Sequence, residues 1–393
     1  MKKLIYLILI ILLCITSFAL ISCGGEDDTT TTADPDLFNI TYELNGGTNN
    51  ENNPTTYNEG DIVTLSFPTK EDYMFMGWFT DSTFRPQNKI KEIKDIEENL
   101  TLYAKWIPLE DFFVLQKEGE EYVIKGSMDT DTIIIPSTYK GLPVTGINEW
   151  AFGYLKYTKT VIISDSITNI DPRAFMGSNG YQHADLSIES IIVDSNNPSF
   201  KSMDGVLYSK DGKDLIRYPE SKVGDSFAVP DGVTVIKQFS FFHCLNLKSV
   251  TFPDSLTTIE GWTFEACYSL ESITLTKTME SIGGSAFQNC HKLKSITIPG
   301  NIKILNAPVS NCNNLESVII EEGVTTINGI FAGLPSLKSI VIPDSVTVIG
   351  TYAFKYTPDL TIYCRAETKP DGWADDWDEN VKEVVWGYKE GNK

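Results

Sequence analysis

The sequence predicts a mainly β chain: a small strand-rich domain followed by a solenoid of about 22–23 residues per coil, closed by caps. Three observations predict it. Leu247, Leu270, Leu293, Leu315, Leu337 and Leu360 recur at intervals of 23, 23, 22, 22 and 23 residues. Six residues before them stand Phe241, Phe264, Phe287, Val309, Phe331 and Phe354, so the same apolar set returns with each period. Ahead of this array, residues 37–106 alternate in short segments separated by Gly-rich turns, the pattern of strands.

The chain opens on Lys2 and Lys3, a basic flank, and then Leu4 to Ile21, an apolar stretch with the layout of an export signal. Polar GGEDDTTTT follows at once, where a stop-transfer segment would carry basic residues. Leu20-Ile21-Ser22-Cys23 resembles the lipobox of bacterial lipoproteins. The resemblance implies that 1–22 is a signal peptide and that Cys23 becomes the acylated first residue, several acyl chains then tethering the protein without a membrane span. Residues 23–36 lack apolar periodicity and read as a flexible acidic Thr/Gly linker.

Residues 37–106 hold Tyr42–Gly47 (Y-E-L-N-G-G), Gly77–Asp81 (G-W-F-T-D) and Leu102–Trp106 (L-Y-A-K-W) in that order. This order resembles the Listeria–Bacteroides repeat, the B-repeat of internalin-type surface proteins, and implies a β-grasp-like domain. Trp78 and Trp106 are expected in its core, because large aromatics dominate the interior of so small a unit.

From 107 to 388 the period sets the reading, with 389–393 left as a tail. Each coil buries its inner face only against its neighbours. Three and five residues after Leu come apolar positions, then Pro253, Pro299 or Pro343, so each coil carries a short strand ended by a residue that cannot continue the ladder. The pattern extends upstream through Phe152 and Phe175, and the 66 residues from Phe175 to Phe241 equal three periods, with 190–193 and 204–208 marking degenerate coils. Leu293–Pro299, Ser345–Gly350 and Ala286–Cys290 resemble the BspA-type leucine-rich repeat. That resemblance implies a right-handed leucine-rich-repeat solenoid. Residues 112–128 and 360–388, the latter with Trp373, Trp377 and Trp386, depart from the consensus and are expected to cap its ends.

Cys244, Cys267, Cys290 and Cys312 share one repeat position and should stack about 4.8 Å apart with parallel side chains, a poor fit to the roughly 90° disulfide torsion. Their spacing also misses the paired ligands of structural zinc, so they are expected as buried thiols, and Cys364 has no periodic partner. His183, His243 and His291 fall in no metal or nucleophile motif. The acidic run 371–379 lacks the spacing of a calcium loop and reads as solvated cap surface. No cofactor or metal is expected. A net charge of −21, two units more negative once Lys2 and Lys3 are removed, argues against nucleic acid and anionic membrane surfaces as partners.

The candidate ligand face is the outward part of each strand. Lys248, Glu271, Lys294, Glu316 and Lys338 follow the leucines as a column of alternating charge, and Ser249, Ser272, Ser295, Ser317 and Ser339 follow those. The charges serve either as a structural ladder or as a recognition strip for an extracellular protein or glycan. The expected function is that of a non-enzymatic, monomeric surface lipoprotein that binds an extracellular macromolecule, as in adhesion. Two alternatives stay open: an envelope component binding the cell's own polymers, and a hydrolase whose site has no local signature.

Overall fold

The computed structural model describes residues 37–176, 187–329, 331 and 333–389. The export signal, Cys23, the linker, His183 and nearly all of the tail lie outside the described residues.

The first unit is a mixed five-stranded sheet in which Leu37–Glu43 runs parallel to Leu100–Pro108, with Tyr73–Phe79 antiparallel on the other side of that last strand. Thr56–Asn58 and Lys89–Ile90 form its edges. Ile40, Tyr57, Phe75, Trp78, Leu100, Leu102 and Ala104 make the core. Both tryptophans serve it. Trp78 is 2% exposed and donates to Ser66 O at 3.1 Å, and the half-buried Trp106 donates to Leu44 O at 2.9 Å. A glycine is required at 47, where an added Cβ would stand 2.6 Å from Trp106 Cζ2 and 2.9 Å from Thr69 O.

The unit is joined directly to the solenoid. Leu109–Phe112 forms one helical turn, Leu109 N donates to Asp72 O at 2.9 Å, and Met74 is buried in the core of the first coils. Phe113–Glu118 and Glu121–Ser127 then fold as an antiparallel hairpin whose second strand pairs in parallel with Leu142–Ile147, so it covers the first coil.

Beyond it the coils stack. Eleven strands among the described residues, from Thr132–Ile134 to Glu383–Val385, line one side of the solenoid, broken into four parallel sheets. Short strands such as Val235–Ile236, Thr258–Ile259 and Ser281–Ile282 form a second ladder. Every repeating Leu and Phe is buried. The phenylalanines stack face to face: Phe241 on Phe264 at 4.6 Å, Phe264 on Phe287 at 5.3 Å, and Phe331 on Phe354 at 5.6 Å.

One stretch departs from the expected coil. Residues 200–217 form an antiparallel meander of Phe200–Met203, Val206–Ser209 and Asp214–Arg217, turned by Asp204-Gly205 and by Gly212. Its strands divide the solenoid interior into two apolar clusters, with Leu207 facing one and Val206, Tyr208 and Leu215 facing the other. At the far end Trp373 and Trp377 are buried, and Trp386 packs on both at 5.6 and 6.2 Å, closing the last coil.

Candidate functional site

The parallel ladder places the predicted outward residues on one face. Ser226, Ser249 and Ser272 are in register, as are Ser295 with Ser317 and Ser339 with Thr361. Inward neighbours Val250, Ile273, Ile296, Val318 and Ile340 are buried, so alternation along each strand turns the serines outward. Lys248, Glu271, Lys294, Glu316 and Lys338 are all exposed. Backbone bonds fix their spacing, with Lys248 N donating to Asp225 O, Glu271 N to Lys248 O and Glu316 N to Lys294 O.

The charges pair mainly at the ends of the column. Lys248 meets Asp225, one coil earlier, at 3.1 Å, and Lys338 meets Asp359 at 2.9 Å. The Asp225 hydrogen bond raises the Lys248 pKa, and Lys338 lowers that of Asp359. These pairs are exposed and screened by solvent, too weak to make the column a main source of stability.

A further column on the same face escaped the sequence reading. Two residues after each serine stand Thr251, Thr274, Thr297, Ile319, Val341 and Tyr363, with Val385 in register beyond. Over the last four coils the position changes from hydroxyl to apolar. Ile319 is 54% exposed, Val341, Tyr363 and Val385 are half-buried, and Tyr363 contacts Tyr388 at 4.8 Å. The signal was present as a Thr-to-Ile/Val/Tyr switch within an otherwise constant S-x-T pattern. The strand face is thus a polar strip for its first half and an apolar stripe, flanked by Glu316, Lys338 and Arg365, for its second.

The remaining candidates are structural. Cys244, Cys267, Cys290, Cys312 and Cys364 are free and buried. In three of them the thiol donates to the carbonyl of the preceding coil's phenylalanine: Cys267 to Phe241 O at 3.1 Å, Cys290 to Phe264 O at 3.3 Å, and Cys312 to Phe287 O at 3.1 Å. Burial pushes Cys312 and Cys364 up to about 12, which keeps both thiols protonated and unreactive at neutral pH. His243 is buried, and His291 stacks on Tyr268 at 5.1 Å with Nδ1 2.9 Å from Asn311 O. Within the acidic run, Asp371, Asp375 and Glu379 are exposed while Trp373 and Trp377 point inward. Among the described residues no group of three or more His, Cys, Asp or Glu is placed to hold a metal ion.

Residues 38–105 match the family model described as the Listeria-Bacteroides repeat domain. Residues 120–205 and 234–361 match the BspA type leucine rich repeat region in six copies, and the gap contains most of the antiparallel meander. No curated protein matches the chain. Among solved structures, a leucine-rich repeat protein from Bacteroides ovatus is 23% identical, with a TM-score of 0.45 and 70% of each chain covered. One from Eubacterium ventriosum is 20% identical, with a TM-score of 0.43 over 67% of this chain and 68% of that one. The pneumococcal vaccine antigen PcpA is 18% identical, with a TM-score of 0.42 over 70% of this chain and 97% of its own.

Proposed function

The chain belongs to the BspA-type leucine-rich-repeat family, and on that premise we propose that it is a non-enzymatic bacterial surface lipoprotein whose solenoid binds an extracellular protein. The observation that carries the reading is the strand face. Its inner residues are fully committed to stacking, while its outer columns offer an apolar stripe, exposed at Ile319 and half-buried at Val341, Tyr363 and Val385, beside charged residues. An apolar centre within a charged rim is the composition of a protein interface. The face lies on rigid, in-register strands, so little ordering cost accompanies binding. The acylated Cys23 would hold the chain at the outer side of a membrane, and the 23–36 segment would space the folded part from it.

The test uses residues 37–393 on arrays of extracellular-matrix proteins and, separately, in pulldowns with the producing cell's own wall components. Binding to a matrix protein that drops at least tenfold in Ile319→Asp and in Tyr363→Ala supports the reading. Recovery of wall components alone favours envelope assembly instead. The anchor is tested by metabolic labelling with an alkyne fatty acid, which should mark the wild type; label persisting in Cys23→Ser refutes it.

A further inference from the structure

We infer a second ligand surface on the turn edge of the solenoid, an aromatic-bounded trough that takes a neutral β-linked polysaccharide running parallel to the solenoid axis. The column lies two residues before each repeating Phe and reads Phe239, Trp262, Ser285, Ala307, Gly329 and Tyr352 over six successive coils. Every one of these residues has a positive φ, between 47° and 83°. Glycine adopts that conformation without strain, as Gly329 does here, whereas bulky side chains resist it. Trp262 and Tyr352 nevertheless occupy it, 42% and 38% exposed. A second tryptophan, Trp150, does the same earlier in the array, at φ 59° and 38% exposed.

The left-handed backbone belongs to the turn of the coil, since it recurs four residues on at His243, Ala266, Asn289, Asn311, Gly333 and Tyr356, and it leaves Trp262, Tyr352 and Trp150 partly exposed. Trp262 stacks on the buried Phe239 at 5.8 Å with the planes 20° apart, which fixes the Trp262 ring at one end. Tyr352 stands at the other end under Lys355 Nζ at 4.2 Å, beside Tyr356, which is 66% exposed. Four coil steps separate them, about 19 Å at the spacing of neighbouring parallel strands. Between them Ser285, Ala307 and Gly329 are small, and the coils are so close that a Cβ on Gly329 would lie 3.0 Å from that of Ala307. Along the side runs a polar ladder, Gln288 Nε2 donating to Glu265 Oε1 at 3.3 Å and Ser310 Oγ to Gln288 Oε1 at 3.4 Å, with Asn311 exposed next to it.

The occupant follows from this chemistry. A pyranose ring stacks its C–H face on an aromatic plane and turns its hydroxyls to amides and hydroxyls, which is the combination presented. Equivalent rings on adjacent coils lie 4.6–5.6 Å apart, close to the length of one β-linked pyranose unit, so a chain along the axis keeps step with the coils. A net charge of −21 disfavours polyanions.

The experiment is affinity electrophoresis of residues 37–393 in gels containing hydroxyethylcellulose, xylan, galactomannan or mixed-linkage β-glucan, with pectin and hyaluronan as anionic controls. Retardation by a neutral polymer is expected. It should weaken at least tenfold in Trp262→Gly and in Tyr352→Ala, and survive Ile319→Asp, which separates this surface from the strand face. The melting temperature of Trp262→Gly should equal or exceed that of the wild type, because glycine relaxes the left-handed backbone; a ring kept for packing would lower it. No retardation by any neutral polymer, retardation by the anionic polymers alone, unchanged binding in Trp262→Gly, or a protein ligand lost in that variant without polysaccharide binding would each overturn the inference.

Discussion

Replacing Glu220 by Gln tests how the two halves of the solenoid are joined. Arg217 and Glu220 pair at 2.8 Å with side chains only 3% and 4% exposed, at the end of the meander that divides the interior. The guanidinium also donates to Phe239 O at 2.8 Å and lies 5.8 Å from the Phe175 ring. Removing one partner of such a pair strands the other charge in a dry site and costs about 3–5 kcal/mol. For a unit of this size that lowers the melting temperature by about 6–20 °C. The pair is also incompletely compensated, since Arg217 Nε and Glu220 Oε1 are buried without a hydrogen-bond partner. The double replacement Arg217→Met with Glu220→Leu is therefore expected to be neutral, or stabilising by about 1–4 kcal/mol. Melting followed by circular dichroism and by tryptophan fluorescence, with coincident transitions, measures both changes. A Glu220→Gln loss below about 1 kcal/mol, the value of an exposed pair, would refute a dry junction.

Other expectations follow from the thiols and from the first unit. Because Cys312 and Cys364 rise to about 12, their protonated form is favoured in the fold. The stability they contribute is complete below the ordinary thiol pKa and is lost as pH rises through about 12, so the melting temperature should fall from about pH 9 upward. In residues 37–393 the thiols should resist a disulfide-exchange reagent at pH 8 in native buffer, and all five should react in denaturant. Fast reaction in native buffer would contradict their burial. Gly47→Ala places a methyl against Trp106 and the Thr69 carbonyl. It should cost about 1–3 kcal/mol and change the near-ultraviolet signal of Trp106. Gly77→Ala at φ +126° should likewise destabilise the first unit, measured by its protease susceptibility.

The solenoid was legible because its inward positions face identical constraints. Phe264 fits between Phe241 and Phe287, and Cys267, Cys290 and Cys312 each reach the phenylalanine carbonyl one coil back, so these residue types repeat. The meander was less legible for a physical reason. It buries Val206, Leu207, Tyr208 and Leu215 within the length of a coil, so apolar spacing alone could not tell it from one. Asp204-Gly205 and Asp211-Gly212 were the turn signals that distinguish it. The strand face was legible as a location, since the residues flanking inward ones had to point outward. The left-handed column was not, because positive φ is read from Gly and Asn, and here it is borne by Trp, Phe and Tyr.

Within a stacked array the informative positions are those where a column changes chemistry while the backbone keeps register. The Leu, Phe and Cys columns hardly change, and their residues are accounted for by packing. The column two after serine changes from threonine to Ile319, Val341 and Tyr363, although Thr297 and Ile319 are direct ladder partners. The column two before Phe changes from Trp262 to Ser285 and from Gly329 to Tyr352 with φ positive throughout. Ile319, Trp262 and Tyr352, where the chemistry changes, are each exposed, so burial in the core does not set these changes. On the readings proposed above, the demand that shapes both columns comes from ligands outside the coil. The two changes also occupy different sides of the same coils. One face can therefore hold a protein while the turn edge holds a polymer, and substitutions on one should leave the other's binding intact.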